Sequence, residues 1–575
     1  MRQVPKSALA AAVASLIAPA EQAHAVVSDA QYRALEKRLL LLEKRLEQSE
    51  AAHPANVSPA QAADTAPSAS SSVAAAPPPE EVKELKKKVN VLERRMEVSE
   101  ENQARVAREV PKIDAGSGGF KWSSADGQHA LRLGGYLQTD GDFFADDHYA
   151  HPWNAQPGDK FWVRRGRIVL DGQMFKYVNF RLMPDFAQGQ VRLFDGWLDL
   201  HYFPFASLTA GKMKTPINLE RLQSATAIQF VERAYPTQLA PNRDVGFYMH
   251  GEFAKPGFDT DYQGPHNFKD WITYGVGVFD GSPDNGFTDT STGDSLGFMG
   301  RVFAHPFQHS GVDVLEGLGI GIGGSYQDAN RLGLSPYVSI GQNQIVTFTP
   351  AATTSTQTFV PTTVTPAGST TPVVTGGSIQ TTTTTTGGAV ANGSGYRIQP
   401  QAYWYWDAFG LFAEYAVSNQ HLVNSIATAN RPTFFPTTSM TNTAYQIQAS
   451  YVLTGETPSF NQGVRPRHIF DPFAGTWGAF QVAARWTQMD IDNGIYQNAG
   501  TAARPVYPFS DPRNSISKAS TWGVDLKWYL NNNVSLWADY EQTYFEGGAT
   551  DPNNPLVIAS RNMEKVFMTR FQVAW

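Results

Sequence analysis

The last residues of the chain alternate without a break. Phe567, Thr569, Phe571, Val573 and Trp575 are spaced two apart, with Met568, Arg570 and Gln572 between them. A period of two marks a strand with one apolar and one polar face. The pattern recurs upstream. Phe480, Val482, Ala484 and Trp486 oppose Gln481, Arg485 and Thr487; Val524, Leu526 and Trp528 oppose Asp525 and Lys527; Leu131, Leu133 and Leu137 oppose Arg132 and Gln138. From Phe120 onward such segments are separated by clusters of Gly, Asn, Asp and Pro, as strands joined by turns require. Aromatics gather at strand ends, as in Trp404-Tyr405-Trp406 and Trp528-Tyr529, where a soluble sandwich would bury them. Strands with one face on lipid and one on water can leave no open edge in hydrocarbon. Residues 120–575 are therefore predicted to be all-β, a transmembrane antiparallel β-barrel of about 16 strands, the size that leaves an aqueous lumen. A last strand ending on an aromatic residue fits insertion into an outer membrane.

The period changes before position 120. Tyr32, Leu35, Leu39, Leu42 and Leu46 are spaced alternately three and four apart, and Val82, Leu85, Val89, Leu92 and Met96 repeat the arrangement. This is the seam of a short α-helical coiled coil. The two runs also match each other, LEKRLEQSE from Leu42 and LERRMEVSE from Leu92. Each is too short to be stable alone. Protomers associating in the periplasm, a spacer toward the cell wall, and an intramolecular hairpin are the three ways to supply a partner; narrow seams with charged flanks favour the first. Between the runs, residues 51–79 are a Pro/Ala/Ser-rich flexible linker. At the start, Arg2 and Lys6 precede an apolar stretch from Ala8 to Ala18, and Ala23-His24-Ala25 offers a small-x-small cleavage site. Residues 1–25 thus read as a signal peptide, residues 26–119 as periplasmic, and residues 120–575 as a barrel in the outer membrane of a Gram-negative bacterium.

Composition excludes several functions. There is no cysteine, hence no disulfide, thiol nucleophile or thiolate metal site. Downstream of the N-terminal region no apolar run is long enough for a spanning helix. Lys and Arg number 46 against 53 Asp and Glu, and residues 1–119 hold 16 of each sign, so the whole net charge of −7 belongs to the strand-rich body. A net acidic body argues against nucleic acid as a partner, and bulk charge gives no reason to expect anion preference. The 12 histidines are scattered and neither G-x-S-x-G nor H-E-x-x-H occurs. A barrel-borne hydrolase would need a nucleophile beside a His and an acid, so no enzyme, cofactor or metal is expected. Residues 332–396 carry no charge and include the run Thr381–Thr386; they read as a long external loop, disordered or loosely β-structured.

Several segments resemble the phosphate-selective porin O/P family. LGGYLQTDGDF (Leu133 to Phe143) is similar to that family's first strand and VRRGRIVLDG (Val163 to Gly172) to its paired-arginine strand. GKMKTPINLERL (Gly211 to Leu222) is similar to the strand and turn entering its infolded third loop, continued by Phe230 to Arg233 and Pro241 to Gly246. GVFDGSPDN, SYVLTGE and the last strand match more loosely. The resemblance implies a sixteen-stranded homotrimeric porin, set in outer-membrane lipid, that passes small anions such as phosphate or polyphosphate past the third loop. It places Lys212, Lys214, Arg233 and Arg243 at or near the narrowing.

Alternation independently turns Arg132, Arg165, Arg167 and Arg301 inward, with Arg485, Lys527 and Arg570. It leaves Arg164 on the apolar face with Ile168 and Leu170, where contact with mid-bilayer lipid costs about 2–4 kcal/mol unless a rim position or a bulge removes it. Each inward cation has lumenal acids to pair with, among them Asp140, Asp171, Asp195, Glu414, Asp525, Asp539 and Glu541. Tyr136 stands where phosphate-specific members carry an arginine, and the stretch after Arg331 lacks their arginine ladder. Two readings follow: an anion channel of weak preference, and a general porin with a tethering or adhesin role for the coiled coil and the Thr-rich loop.

Overall fold

The computed structural model describes residues 111–575 apart from 117, 146–157, 254–270, 288–294, 369, 372, 429–430 and 501–504, with scattered positions between 87 and 101. The chain divides into two compact units, Met1–Val106 and Ala107–Trp575. In the first, Lys87, Lys88, Asn90, Val91, Glu93, Arg94, Glu97, Val98 and Glu101 are helical and exposed, the flanks of the second heptad run. Its seam residues Val89, Leu92 and Met96, the first heptad run, the linker 51–79 and the signal peptide 1–25 lie outside the described residues.

The second unit is built on sixteen strands: β1 (Ala130–Ala145), β2 (Lys160–Met174), β3 (Val178–Asp185), β4 (Arg192–Phe203), β5 (Ala206–Lys214), β6 (Arg243–Phe253), β7 (Ile272–Phe279), β8 (Gly297–Ala304), β9 (Leu318–Gly333), β10 (Val390–Trp406), β11 (Phe409–Val423), β12 (Thr437–Val452), β13 (Ala479–Asp490), β14 (Ile516–Tyr529), β15 (Val534–Asp551) and β16 (Glu564–Ala574). Each pairs antiparallel with its neighbour in sequence, and β16 returns to β1 with Phe567 opposite Phe143 and Gln572 opposite Gln138. The sheet is closed, so no barrel strand leaves an unpaired edge. The predicted alternation holds. Phe567, Phe571, Val524, Leu526 and Leu137 are exposed on the outer face, while Met568, Arg570, Gln572, Asp525, Lys527 and Gln138 are buried on the inner one. Short turns at 204–205 and 407–408 share one rim with both ends of the barrel chain, which makes it the periplasmic rim; the long loops crown the other.

The uncharged segment 332–396 ends β9 and begins β10, and between those strands it forms two hairpins. Tyr337–Val338 and Gln344–Val346 form a small hairpin inside the outer mouth, where Tyr337, Ile340, Ile345 and Val346 are fully buried. Glu564 holds it, accepting from Ser339 Oγ (2.9 Å), Gly341 N (3.1 Å) and Asn343 Nδ2 (2.7 Å). Ala351–Val364 then pairs with Val373–Gly387 in a long hairpin, as runs of β-branched threonine favour; Val364, Val373 and Val374 on it are exposed.

Other connections reach deeper into the lumen. The first, 215–242, joins β5 to β6. Its apolar residues Ile217, Leu219, Ile228, Phe230, Val231 and Tyr235 are fully buried. Inward-facing side chains pin its backbone. Glu414 accepts from Leu219 N and Asp539 from Val231 N, both at 2.5 Å. Gln138 donates to Ala225 O (2.9 Å), Gln401 to Ile217 O (3.0 Å), and Lys527 to Ile228 O. Bonds to charged partners contribute about 1.5–3 kcal/mol each, so the loop belongs to the barrel's core rather than its surface. Gly323 on β9 permits the approach, because a Cβ there would collide with the Ile217 backbone. The second connection, 453–478, rises from the periplasmic rim until Phe460 O accepts from Gln223 Nε2 at 2.8 Å.

Candidate functional site

Loop 215–242 sorts the charges of the lumen. Against β12–β16 it covers a sealed network: Arg485 donates to Glu541 at 2.5 Å, Arg570 to Asp140 at 2.8 and 2.6 Å, and Lys527 lies 3.6 Å from the Trp537 ring centroid. Arg485, Lys527 and Arg570 are inward as predicted, but each is at most 3% exposed and committed to the protein.

Toward β1–β6 the lumen stays open as two chambers. The one nearer the periplasm has a volume of about 540 Å³; Arg132, Arg164, Arg165, Arg167, Arg181, Lys214, Arg221, Arg233 and Arg243 line it, with Asp195 as the one acidic side chain among its described lining residues. The outer one, about 330 Å³, is lined by Arg164, Arg165, Arg167, Arg192, Arg221 and Arg233 with Asp185 and Glu232. Five arginines, Arg164, Arg165, Arg167, Arg221 and Arg233, border both chambers and so mark their junction.

The wall arginines are fixed by acids and rings. Arg167 donates to Asp185 (2.7 Å) and to the Tyr136 hydroxyl (2.7 Å), with its guanidinium 3.7 Å from the Phe194 ring centroid. Arg243 donates to Asp195 (2.9 Å) and Asn242 Oδ1 (2.7 Å). Arg132 and Arg181 share Asp171. Other cations are held by neutral groups. Lys214 donates to the carbonyls of Leu222 (3.0 Å) and Gln223 (2.9 Å), Arg221 to Thr237 O (2.8 Å), Arg233 to Glu220 O (3.1 Å) and Gln223 O (3.2 Å), and Arg165 to Gln138 Oε1 (2.7 Å). A carbonyl positions a guanidinium without cancelling its charge, and five donors leave a fork for an anion.

Of the predicted residues, the structure brings Lys214, Arg233, Arg243, Arg165, Arg167 and Arg132 to this space. Lys212 does not line either chamber; it is buried with its ammonium 3.9 Å from the Phe287 ring centroid. Arg301 lines a separate cavity. Three arginines were missed, Arg181, Arg192 and Arg221, and the sequence leaves Arg164 between a rim position and a bulge. Arg164 enters through a β-bulge: Gln138 pairs with Arg165 and Thr139 with Val163, so Arg164 is the extra residue on β2. It points inward onto Glu232, and Val163 turns out to the exposed face. The bulge removes the cost of an arginine in lipid. Arg181 follows the alternation of β3, and that period could have found it. Arg192 does not follow that of β4, because Met183 pairs with Asp195 and Pro184 with Leu193, and the extra residue reverses the parity before Arg192. Arg221 sits on the short helix Leu219–Leu222, where Asn218 Oδ1 caps the Arg221 amide at 2.8 Å; no strand period reaches it.

Burial pushes the Glu232 carboxyl up, but Arg164, then Arg165 and Arg570, outweigh it and hold it at about 2. Burial pushes Arg233 down to about 10, opposed by Glu220 and reinforced by Arg243 and Arg167, so it stays charged at neutral pH. A carboxyl depressed in the folded state stabilises above its ordinary value and loses that contribution only as pH falls through about 2. Single-channel current and ion preference are therefore expected to show no step attributable to Glu232 between about pH 4 and 8; a Glu232→Gln variant that removes a step seen there would contradict this ion-pair geometry.

Residues 132–321 and 325–575 match the family model for the phosphate-selective porins O and P. Among curated proteins no sequence matches significantly. Among solved structures the chain is similar to the outer membrane channel DcaP of Acinetobacter baumannii, at 8% identity over 78% of this chain and 98% of that one, TM-score 0.42. It is also similar to an anion-selective porin from Comamonas acidovorans (10% identity, 78% and 100% covered, TM-score 0.39) and to OmpF of Salmonella typhi (12%, 80% and 100%, TM-score 0.38).

Proposed function

The chain belongs to the phosphate-selective porin O and P family, and from that premise we propose that this outer-membrane porin passes small anions, phosphate and polyphosphate among them, through a channel narrowed by loop 215–242. The observation that carries the reading is that nine cationic side chains line the inner chamber and four of them, Arg165, Arg221, Arg233 and Lys214, are held by neutral acceptors rather than by close carboxylates. An anion entering a narrow lumen gives up part of its hydration, and fixed cationic donors replace it. Several adjacent cations, each holding the ion weakly, allow it to enter and also to leave. Arg165, Arg221, Arg233 and Lys214 suit that task, because neutral acceptors hold them. Arg167 and Arg243, closed by carboxylates, shape the wall.

Tyr136 spends its hydroxyl on Arg167 and adds no charge where phosphate-specific relatives carry one. The proposal is accordingly a preference for anions, not strict phosphate specificity. Purified protein in a planar bilayer under a KCl gradient should give a reversal potential on the chloride side, with phosphate reducing the chloride current. A preference for potassium would remove the anion reading and leave a porin. The assembly proposed is a homotrimer, as the family resemblance implies; cross-linking that stops at dimers would remove it.

A further inference from the structure

At the periplasmic rim a third cavity, about 410 Å³, opens between β4, β6, β7, β8 and β10. Its chemistry differs from that of the arginine chambers. Tyr248, Tyr274, Phe303, Tyr403 and Phe460 contribute rings, and Arg301 is its one Lys or Arg among the described lining residues. The inward strand arginines Arg132, Arg167, Arg181, Arg243, Arg397, Arg485 and Arg570 each have a carboxylate within 4.0 Å. Arg301 has none among the described residues. Its Nε donates to the neutral Gln401 (2.9 Å), and its guanidinium carbon lies 4.5 Å from the Phe303 ring centroid. The fork is thus oriented while its terminal nitrogens keep their donors for a carboxylate, the partner that a planar guanidinium matches in two bonds.

The rings form a continuous wall beside it. Phe303 and Tyr403 have centroids 5.0 Å apart, Tyr403 and Phe460 4.9 Å, and the Tyr403 hydroxyl is 2.8 Å from His305 Nε2. Such distances are those of packed aromatic pairs, so the wall is apolar and firmly held, and the volume falls within the range of small-molecule sites. Glu252 lines the same cavity. One arginine facing one glutamate makes charge alone a poor basis for capture, so the apolar wall must supply the rest.

We infer that this cavity binds aromatic carboxylates, a benzoate-like ring against Phe303 and Tyr403 with its carboxylate on Arg301. The inference rests on the channel reading of the lumen, since occupancy is read as interrupted current. The test adds sodium benzoate, or sodium acetate as the ring-free control, to full-length protein in a KCl bilayer. Benzoate should halve the chloride current at a concentration about fivefold below acetate, the factor one ring contact supplies. Arg301→Gln, and independently Phe303→Leu, which removes a ring and no charge, should bring the two concentrations together. Arg221→Gln, in the arginine chambers, should change chloride preference and leave the benzoate-to-acetate ratio as it was. Equal action of benzoate and acetate on the unaltered protein, or a ratio unchanged in both cavity variants, overturns the inference. Absence of conductance in KCl alone would instead signal failure of the channel reading.

Discussion

Replacing Arg165 and Arg221 by glutamine is expected to lower the chloride-to-potassium permeability ratio about tenfold, a change of roughly 1.4 kcal/mol. Both side chains border both chambers, so an ion passing the junction meets them twice. A unit charge about 4 Å away contributes on the order of 1 kcal/mol even in bulk water and more beside low-dielectric walls; salt screening trims the sum of two. Neither change strips a close counter-ion. Arg221 is held by the Thr237 carbonyl, and Arg165 by Gln138, with Glu232 no nearer than 4.0 Å. Lys212→Gln is the matched control. Lys212 lines neither chamber, its ammonium lying against the Phe287 ring that borders the outer one, and the variant's permeability ratio should stay within about twofold of the starting value. A double variant indistinguishable from Lys212→Gln would show that the arginine junction does not select ions. Reversal potentials in a KCl gradient decide between these outcomes.

Replacing residues 219–234 by a short Gly/Ser link is expected to raise single-channel conductance severalfold and turn the preference toward cations. The segment carries Glu220, Arg221, Glu232 and Arg233, two charges of each sign, so the net charge of the protein does not change. What changes is which charges meet water. Glu414 and Asp539 lose the amides of Leu219 and Val231, and Asp525 loses Gln229 (2.9 Å). Glu541, fully buried with the loop in place, opens to the lumen. Carboxylates on one wall would then face the remaining wall arginines, most of which already have partners. A loop-less barrel that conducts more but keeps its anion preference would mean that the strands alone set the sign. A heat-modifiable band on denaturing gels serves as the folding control.

Much of this was legible along the chain, because a lipid-facing barrel writes itself into alternate residues. Phe567 and Arg570, Leu526 and Lys527, Leu137 and Gln138 all face the sides that the period of two assigns. Arg164 was not, because a bulge is a property of two strands: the slip lies between Gln138 and Thr139 on β1, and only the pairing shows that β2 has a residue to spare. Lys212 and Lys214 look equivalent in GKMKTP. The chain leaves the strand at Lys214, whose ammonium reaches the carbonyls of the loop it enters, while Lys212 stays under Phe287. Arg301 was predicted inward and is inward, but its neighbours in space, Gln401 and Tyr403, lie a hundred residues away in the chain.

What the amino-acid order determined by itself was each residue's side, since a strand's alternation is local and lipid enforces it at every second position. It also determined the closed sheet, because polar backbone in hydrocarbon permits no other ending. Only the tertiary structure decided which charges line the passage. A body with net charge −7 yields cation-lined chambers because one infolded loop buries carboxylates against the far wall and leaves arginines facing water. Coulomb interactions depend on distance and solvent exposure, and neither is a property of a residue's place in the chain.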